Sequence, residues 1–154
     1  ALYAAVTGLE TSAVSRGSLS NQVDSGQSIR WLPYSDEILK EAAREGKPVF
    51  IDFYADWCAP CKELDTHTFS TPEVIERSRE FVMLKVDLTS AGDPKAESLR
   101  KKYGALGVPT LVFLRPDGKE IVNLRITGFE PKEVQLEKMN EALNQSIAGA
   151  VGVS

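Results

Sequence analysis

A nearly continuous apolar run extends from Val49 to Ala55, interrupted only by Asp52. A run of this length, with no alternation of polar and apolar positions, predicts a strand buried on both faces of a parallel sheet. Shorter apolar runs at Phe81 to Val86 and Thr110 to Leu114 predict two more strands. After the second of these, Pro116-Asp117-Gly118 marks a turn and Glu120 to Ile126 a returning strand, which together make a hairpin. Ile29 to Leu32 alternates and predicts a short first strand ended by Pro33.

Helical spacing fills the gaps. Ser35 caps a segment to Glu45 with Ile38, Leu39, Ala42 and Ala43 on one face, and Gly46 stops it. A second helix is expected from Cys58 to about Thr66. Ser70-Thr71-Pro72-Glu73 carries a capping box and a first-turn proline, which predicts a third. Asp93-Pro94 opens a helix closed by Gly104, and Pro131 opens a last one with the stripe Val134, Leu136, Met139, Leu143 and Ile147. The order β-α-β-α-β-α-β-β-α puts parallel pairs early and an antiparallel pair late. The expected fold is therefore α/β, a mixed central sheet with a C-terminal antiparallel hairpin and helices on both faces.

Domain organisation follows from the same pattern. Residues 1–28 are rich in Ser, Gly, Ala and Thr without hydrophobic period and are expected to be a flexible leader or linker. Within it, Ala1 to Leu9 is expected to be the end of an apolar segment cut away. Residues 29–147 form one domain and 148–154 a loose tail. Net charge is −4, with 42% hydrophobic and 26% charged residues, so nothing favours nucleic acid or an anionic membrane as partner. No apolar run approaches the length needed to span a bilayer. The chain starts at Ala1 without an initiator Met and is expected to be a processed product or an excised piece. The cysteine count does not fix the compartment, because catalytic dithiols work in reducing and oxidising spaces alike.

Cysteine changes the picture most. Cys58 and Cys61 are the only two cysteines, and C-x-x-C between a strand and a helix is the spacing of a redox dithiol. A sulfur at a helix start sits near unpaired N–H groups and the positive end of the dipole, which favour thiolate. One turn on, Cys61 lies on the same face and can close onto Cys58, while Pro60 occupies a first-turn position that needs no N–H donor. Two other roles compete. Half a zinc site would need further ligands, and only His67 is available. A purely structural disulfide would close too short a loop to stabilise much. Redox chemistry is the expected role, with no metal.

The element order, the block Trp57-Cys58-Ala59-Pro60-Cys61-Lys62 and Gly107-Val108-Pro109-Thr110 together resemble the thioredoxin family over residues 29–146. That resemblance implies a thioredoxin-like fold and a cis Val108-Pro109 bond lying against the dithiol. It implies partner contacts by Trp57, Ala59, Pro60, Val108 and Pro109. A narrower resemblance joins Tyr54-Ala55-Asp56-Trp57-Cys58, Cys61-Lys62-Glu63-Leu64-Asp65, Thr68-Phe69-Ser70, Pro72-Glu73-Val74 and Thr127-Gly128-Phe129 to the C-terminal periplasmic domains of the DsbD family. These domains belong to inner-membrane conveyors that carry electrons to the periplasm. Ala59-Pro60 departs from that group towards thioredoxin itself.

Two acids complete the expected site. Asp52 lies six residues before Cys58 in an otherwise apolar strand. Burial would raise its pKa and let it exchange a proton with Cys61; its position resembles that of the buried acid of thioredoxins. Asp65 shares the helix face of both cysteines and resembles, one methylene shorter, a Glu of the DsbD group. Both acids are expected to oppose thiolate formation at Cys58. Trp57 is expected to shield the dithiol and meet partners. Lys62 and Glu63 should face solvent, and His67 should be a surface or capping residue. The expected activity is thiol:disulfide exchange without a bound cofactor, as the periplasmic relay domain of a membrane electron conveyor. Its expected partners are the conveyor's membrane domain and its periplasmic acceptor domain. The alternatives are a freestanding periplasmic reductase, such as one serving cytochrome c maturation, and a binding module with a vestigial dithiol.

Overall fold

The structure, a computed structural model, describes residues 28–150, with side chains described to Ile147. The expected leader, including its apolar start at Ala1 to Leu9, lies outside the described residues apart from its last position. Five strands form one sheet: β1 (Leu32–Pro33), β2 (Val49–Tyr54), β3 (Val82–Asp87), β4 (Thr110–Leu114) and β5 (Ile126–Thr127). Their order is β1-β3-β2-β4-β5; β1, β3 and β2 run parallel, and β4 and β5 are antiparallel to their neighbours. Helices α1 (Asp36–Glu45), α2 (Ala59–His67), α3 (Pro72–Ser78), α4 (Pro94–Tyr103) and α5 (Lys132–Ala150) cover both faces.

β2 lies at the centre, so its alternate residues enter two separate cores. Val49, Ile51 and Phe53 pack with Leu84, Val86 and Val112 towards Ala42 of α1 and Ala96 of α4. Phe50 packs on the other face with Leu111, Phe113, Leu64 of α2, Val74 of α3 and Met139 of α5. Asp52 belongs to this second face by the same alternation. Its register partners are Lys85 on β3 and Leu111 on β4.

Two helices begin and end as the sequence dictates. Ile38 N–H donates to Ser35 Oγ at 3.1 Å and Lys95 N–H to Asp93 Oδ1 at 3.1 Å. Gly46 and Gly104 close α1 and α4 with φ of 71° and 63°, in the left-handed region that side chains disfavour.

Several expectations are corrected. The first strand is Leu32–Pro33 rather than Ile29–Leu32. Pro33 pairs because β1 is an edge strand, where a missing N–H can face outward. The capping box at Ser70 does not form: Ser70 Oγ donates to Thr66 O and Thr71 Oγ1 to Thr68 O, and α3 has no side-chain cap. The returning strand is broken into a bridge at Glu120, a 3₁₀ turn over Val122–Leu124 and the short β5. Ile121 and Leu124 are both buried while Val122 is 70% exposed, a three-residue spacing that a strand cannot satisfy. The buried line of α5 is Gln135, Met139, Ala142 and Ser146; of the predicted stripe Met139 is buried and Leu136 and Leu143 pack against the core, while Ile147 is 63% exposed. That helix also runs to Ala150, beyond the expected start of a tail.

Candidate active site

Cys58 is the N-cap of α2, still in extended backbone, and its Sγ accepts the N–H of Cys61 at 3.1 Å. A sulfur in that position is held where the helix leaves its first amides unpaired. Cys58 and Cys61 are joined as a disulfide with Cα atoms 5.3 Å apart. Pro60 lies in the first turn, as its lack of an N–H permits. Both cysteines are buried, 4% and 5% exposed, so accessibility does not single out Cys58. Its place at the helix start does.

Tyr54, Ala55 and Val108 pack on the pair. The Val108-Pro109 bond is cis, and Pro109 is buried at the start of β4. Beside the pair opens a cleft of about 320 Å³ lined in part by Pro60, Gly107, Val108, Pro109, Thr127 and Gly128. Ala59 and Pro60 are exposed at its edge. Trp57 is 67% exposed, its indole N–H donating to Thr89 O at 3.3 Å, so it stands at the rim as a fixed aromatic surface.

Asp52 is 3% exposed and its Oδ1 has no hydrogen-bond partner. Burial pushes its carboxyl from the ordinary 3.8 up to about 7, opposed by the nearby ammonium of Lys85 and assisted by the charge of Asp65. Asp65 is itself exposed on α2. Thus α2 and β2 bring the two acids into one electrostatic neighbourhood. His67, Lys62 and Glu63 are exposed, and His67 stands edge-on to Phe129 at 6.5 Å.

Two residues of this neighbourhood, Lys85 and Thr89, were not among those expected from the sequence. Lys85 sits beside Asp52 in the register, with its ammonium 4.5 Å from the Tyr54 ring centre and 5.0 Å from that of Trp31. The signal was available: Lys85 interrupts the apolar run of β3 as Asp52 interrupts that of β2. Thr89 holds Trp57 through its carbonyl and accepts the N–H of Asp56 on its Oγ1 at 2.9 Å. No sequence signal announced it, because the contact joins loops more than thirty residues apart. Among the described residues no group of three or more His, Cys, Asp or Glu is placed to hold a metal ion.

A disulfide at a helix start, packed against Val108 of a cis Val108-Pro109 bond, defines a thiol:disulfide oxidoreductase domain. Residues 35–144 match the thioredoxin-like domain family, and the chain belongs to that family. It is 40% identical over 103 residues to the thiol:disulfide interchange protein DsbD of Yersinia pestis, which covers 67% of this chain and 17% of that protein. The DsbD of Cronobacter sakazakii is 46% identical over 88 residues, 57% of this chain and 15% of the relative. The chain therefore spans about a sixth of the length of these relatives. Among solved structures, the reduced C-terminal domain of Neisseria meningitidis DsbD has a TM-score of 0.59 and 31% identity, covering 72% of this chain and 99% of that one. A thioredoxin from Thermus thermophilus has a TM-score of 0.67 at 28% identity, covering 80% of this chain and 93% of its own.

Proposed function

We propose that the chain is the relay domain of a DsbD-type membrane electron conveyor, working in the periplasm between the conveyor's membrane domain and its periplasmic acceptor domain. The observation that carries this is the Cys58–Cys61 pair at the start of α2, in a chain that matches nearly the whole of a solved DsbD C-terminal domain. No helix among the described residues is long and apolar enough to cross a membrane, so the proposal assigns membrane passage to other parts of the conveyor.

In the reduced domain, the Cys58 thiolate attacks the partner's disulfide. The partner's S–S bond breaks, one partner thiolate leaves, and a mixed disulfide through Cys58 forms. Cys61 then loses its proton to Asp52 and attacks Cys58 Sγ, releasing the second partner thiolate. The products are the intradomain disulfide and a partner dithiol, two electrons having moved. Loading from the membrane domain is the reverse sequence. The dithiol itself carries the electrons, and the exchange takes no bound cofactor.

A freestanding periplasmic reductase, for example in cytochrome c maturation, is the second reading. It is supported by the Ala59-Pro60 dipeptide and the likeness to thioredoxin. Both readings predict that Cys61→Ser accumulates a mixed disulfide through Cys58, identified by mass spectrometry, and that the native disulfide cycles with dithiothreitol. Cross-linking only through residue 61 in Cys58→Ser would reverse the assignment. A disulfide inert to dithiothreitol would leave a binding module. The two readings part on rate: a relay domain exchanges faster with a DsbD-type acceptor domain than with an apocytochrome disulfide.

A further inference from the structure

Val108 packs on the cysteine pair from a loop that leaves α4 at Gly104 and has no regular structure until Thr110. Its later end is tied internally, with Thr110 Oγ1 donating to Gly107 O at 2.6 Å. Its crest carries Leu106, which is 91% exposed. Its beginning is the C-terminus of a helix, where carbonyls are left without intrahelical donors. Two of those carbonyls, of Tyr103 and Gly104, are taken by one guanidinium, that of Arg125, with Nη1 donating to Gly104 O at 3.0 Å. Arg125 comes more than twenty residues later, immediately before β5. The rest of its fork is held by Glu120, with Nε and Nη2 each donating at 2.8 Å to separate carboxylate oxygens. The side chains are only 24% and 19% exposed, so this bidentate pair is less screened than the other ion pairs of the surface.

We propose that Arg125, oriented by Glu120, is a positioning residue for exchange with protein disulfides: it latches the α4–β4 loop to the β5 side, holding Val108, Pro109 and Leu106 in the geometry a protein partner meets. The physical reason is preorganisation. A loop free to wander would lose conformational entropy each time a partner docked, and the loss would appear as weaker binding. A small reductant needs no such wall. Only a planar fork can serve Glu120 and two carbonyls at once, so lysine is a poor substitute. This inference rests on the proposal that the dithiol exchanges with proteins.

The test uses Arg125→Gln, Arg125→Lys and Glu120→Gln in the full chain. Insulin serves as the protein disulfide, dithiothreitol as the small reductant, and amide hydrogen exchange reports on residues 105–108. Arg125→Gln is expected to lower kcat/KM for insulin about tenfold, mainly through KM. Reduction of Cys58–Cys61 by dithiothreitol should stay within about twofold, and the loop amides should exchange faster. Arg125→Lys should recover only part of the loss, and Glu120→Gln should fall between. Equal losses with insulin and with dithiothreitol, or unchanged loop exchange, would overturn the latch. So would failure of all three variants to fold, which would make Arg125 a stabiliser of the fold. If the unaltered chain reacts with dithiothreitol but not with insulin or any partner domain, the proposed function fails, while the loop amides still decide the latch.

Discussion

Replacing Asp52 by Asn removes the one buried carboxylate of the dithiol neighbourhood while keeping its shape. Asp52 lies on β2 on the face of Phe50, opposite Leu111 in the register, 3% exposed and with one oxygen lacking a partner. Its carboxyl is displaced from 3.8 to about 7. At about 1.36 kcal/mol per pH unit, that displacement corresponds to roughly 4 kcal/mol of penalty on the charged form in the folded state. The sign follows from proton counting. Between about pH 4 and pH 7 the folded chain keeps a proton that the unfolded chain has lost, so wild-type stability falls as pH rises through this window. Above about pH 7 both states are ionised and the loss is complete. Asn has no such window. The stability of Asp52→Asn relative to wild type should therefore grow by roughly 3–4 kcal/mol between about pH 4 and pH 8. Any fixed cost of burying the amide is independent of pH and cancels in that difference. Guanidinium unfolding of the oxidised proteins across the range measures it, the disulfide keeping the thiols silent. Parallel stability curves for the two proteins would refute the account of Asp52 as a desolvated, proton-holding group. The same substitution removes the proposed acceptor for the Cys61 proton, so resolution of a mixed disulfide should slow most above about pH 7, where wild-type Asp52 is ionised.

The Ala59-Pro60 dipeptide leads us to expect a reduction potential nearer to thioredoxin's, about −270 mV, than to the roughly −120 mV of a strong periplasmic oxidant. Equilibration against a glutathione series reads it, and a value near the oxidant's would contradict a reductant relay. Asp65→Asn should lower the pKa of Cys58 in a Cys61→Ser background, less than Asp52→Asn does and with salt erasing the effect, because Asp65 is exposed and screened. Thiolate absorbance against pH measures both substitutions. The double change should lower the pKa further but short of additively, since the acids share one neighbourhood, and an unmoved Cys58 titration would make both acids structural.

Periodicity and punctuation were enough, in the sequence, for the elements whose residues face one consistent environment. Val49 to Tyr54 is buried on both sides and reads as a central strand without help. The capped ends at Ser35, Gly46, Asp93 and Gly104 are local chemistry, and so is the placement of Cys58 at the start of α2. The thiol:disulfide site was legible because its spacing, C-x-x-C, is itself a local geometric requirement. Tertiary structure decided the rest. Ile121 and Leu124 had to reach one core together, and that broke the second hairpin strand into a 3₁₀ turn. Gln135 and Ser146 took buried places on α5 that hydropathy denies them, because the line facing the sheet is set by how the helix docks. The lysine beside Asp52, the carbonyl that holds Trp57 and the guanidinium that ties down the Val108 loop all join segments distant in sequence. Pairing of that kind leaves no periodic trace. It exists only once the strands have chosen their order, since the sheet register is what sets Lys85 against Asp52.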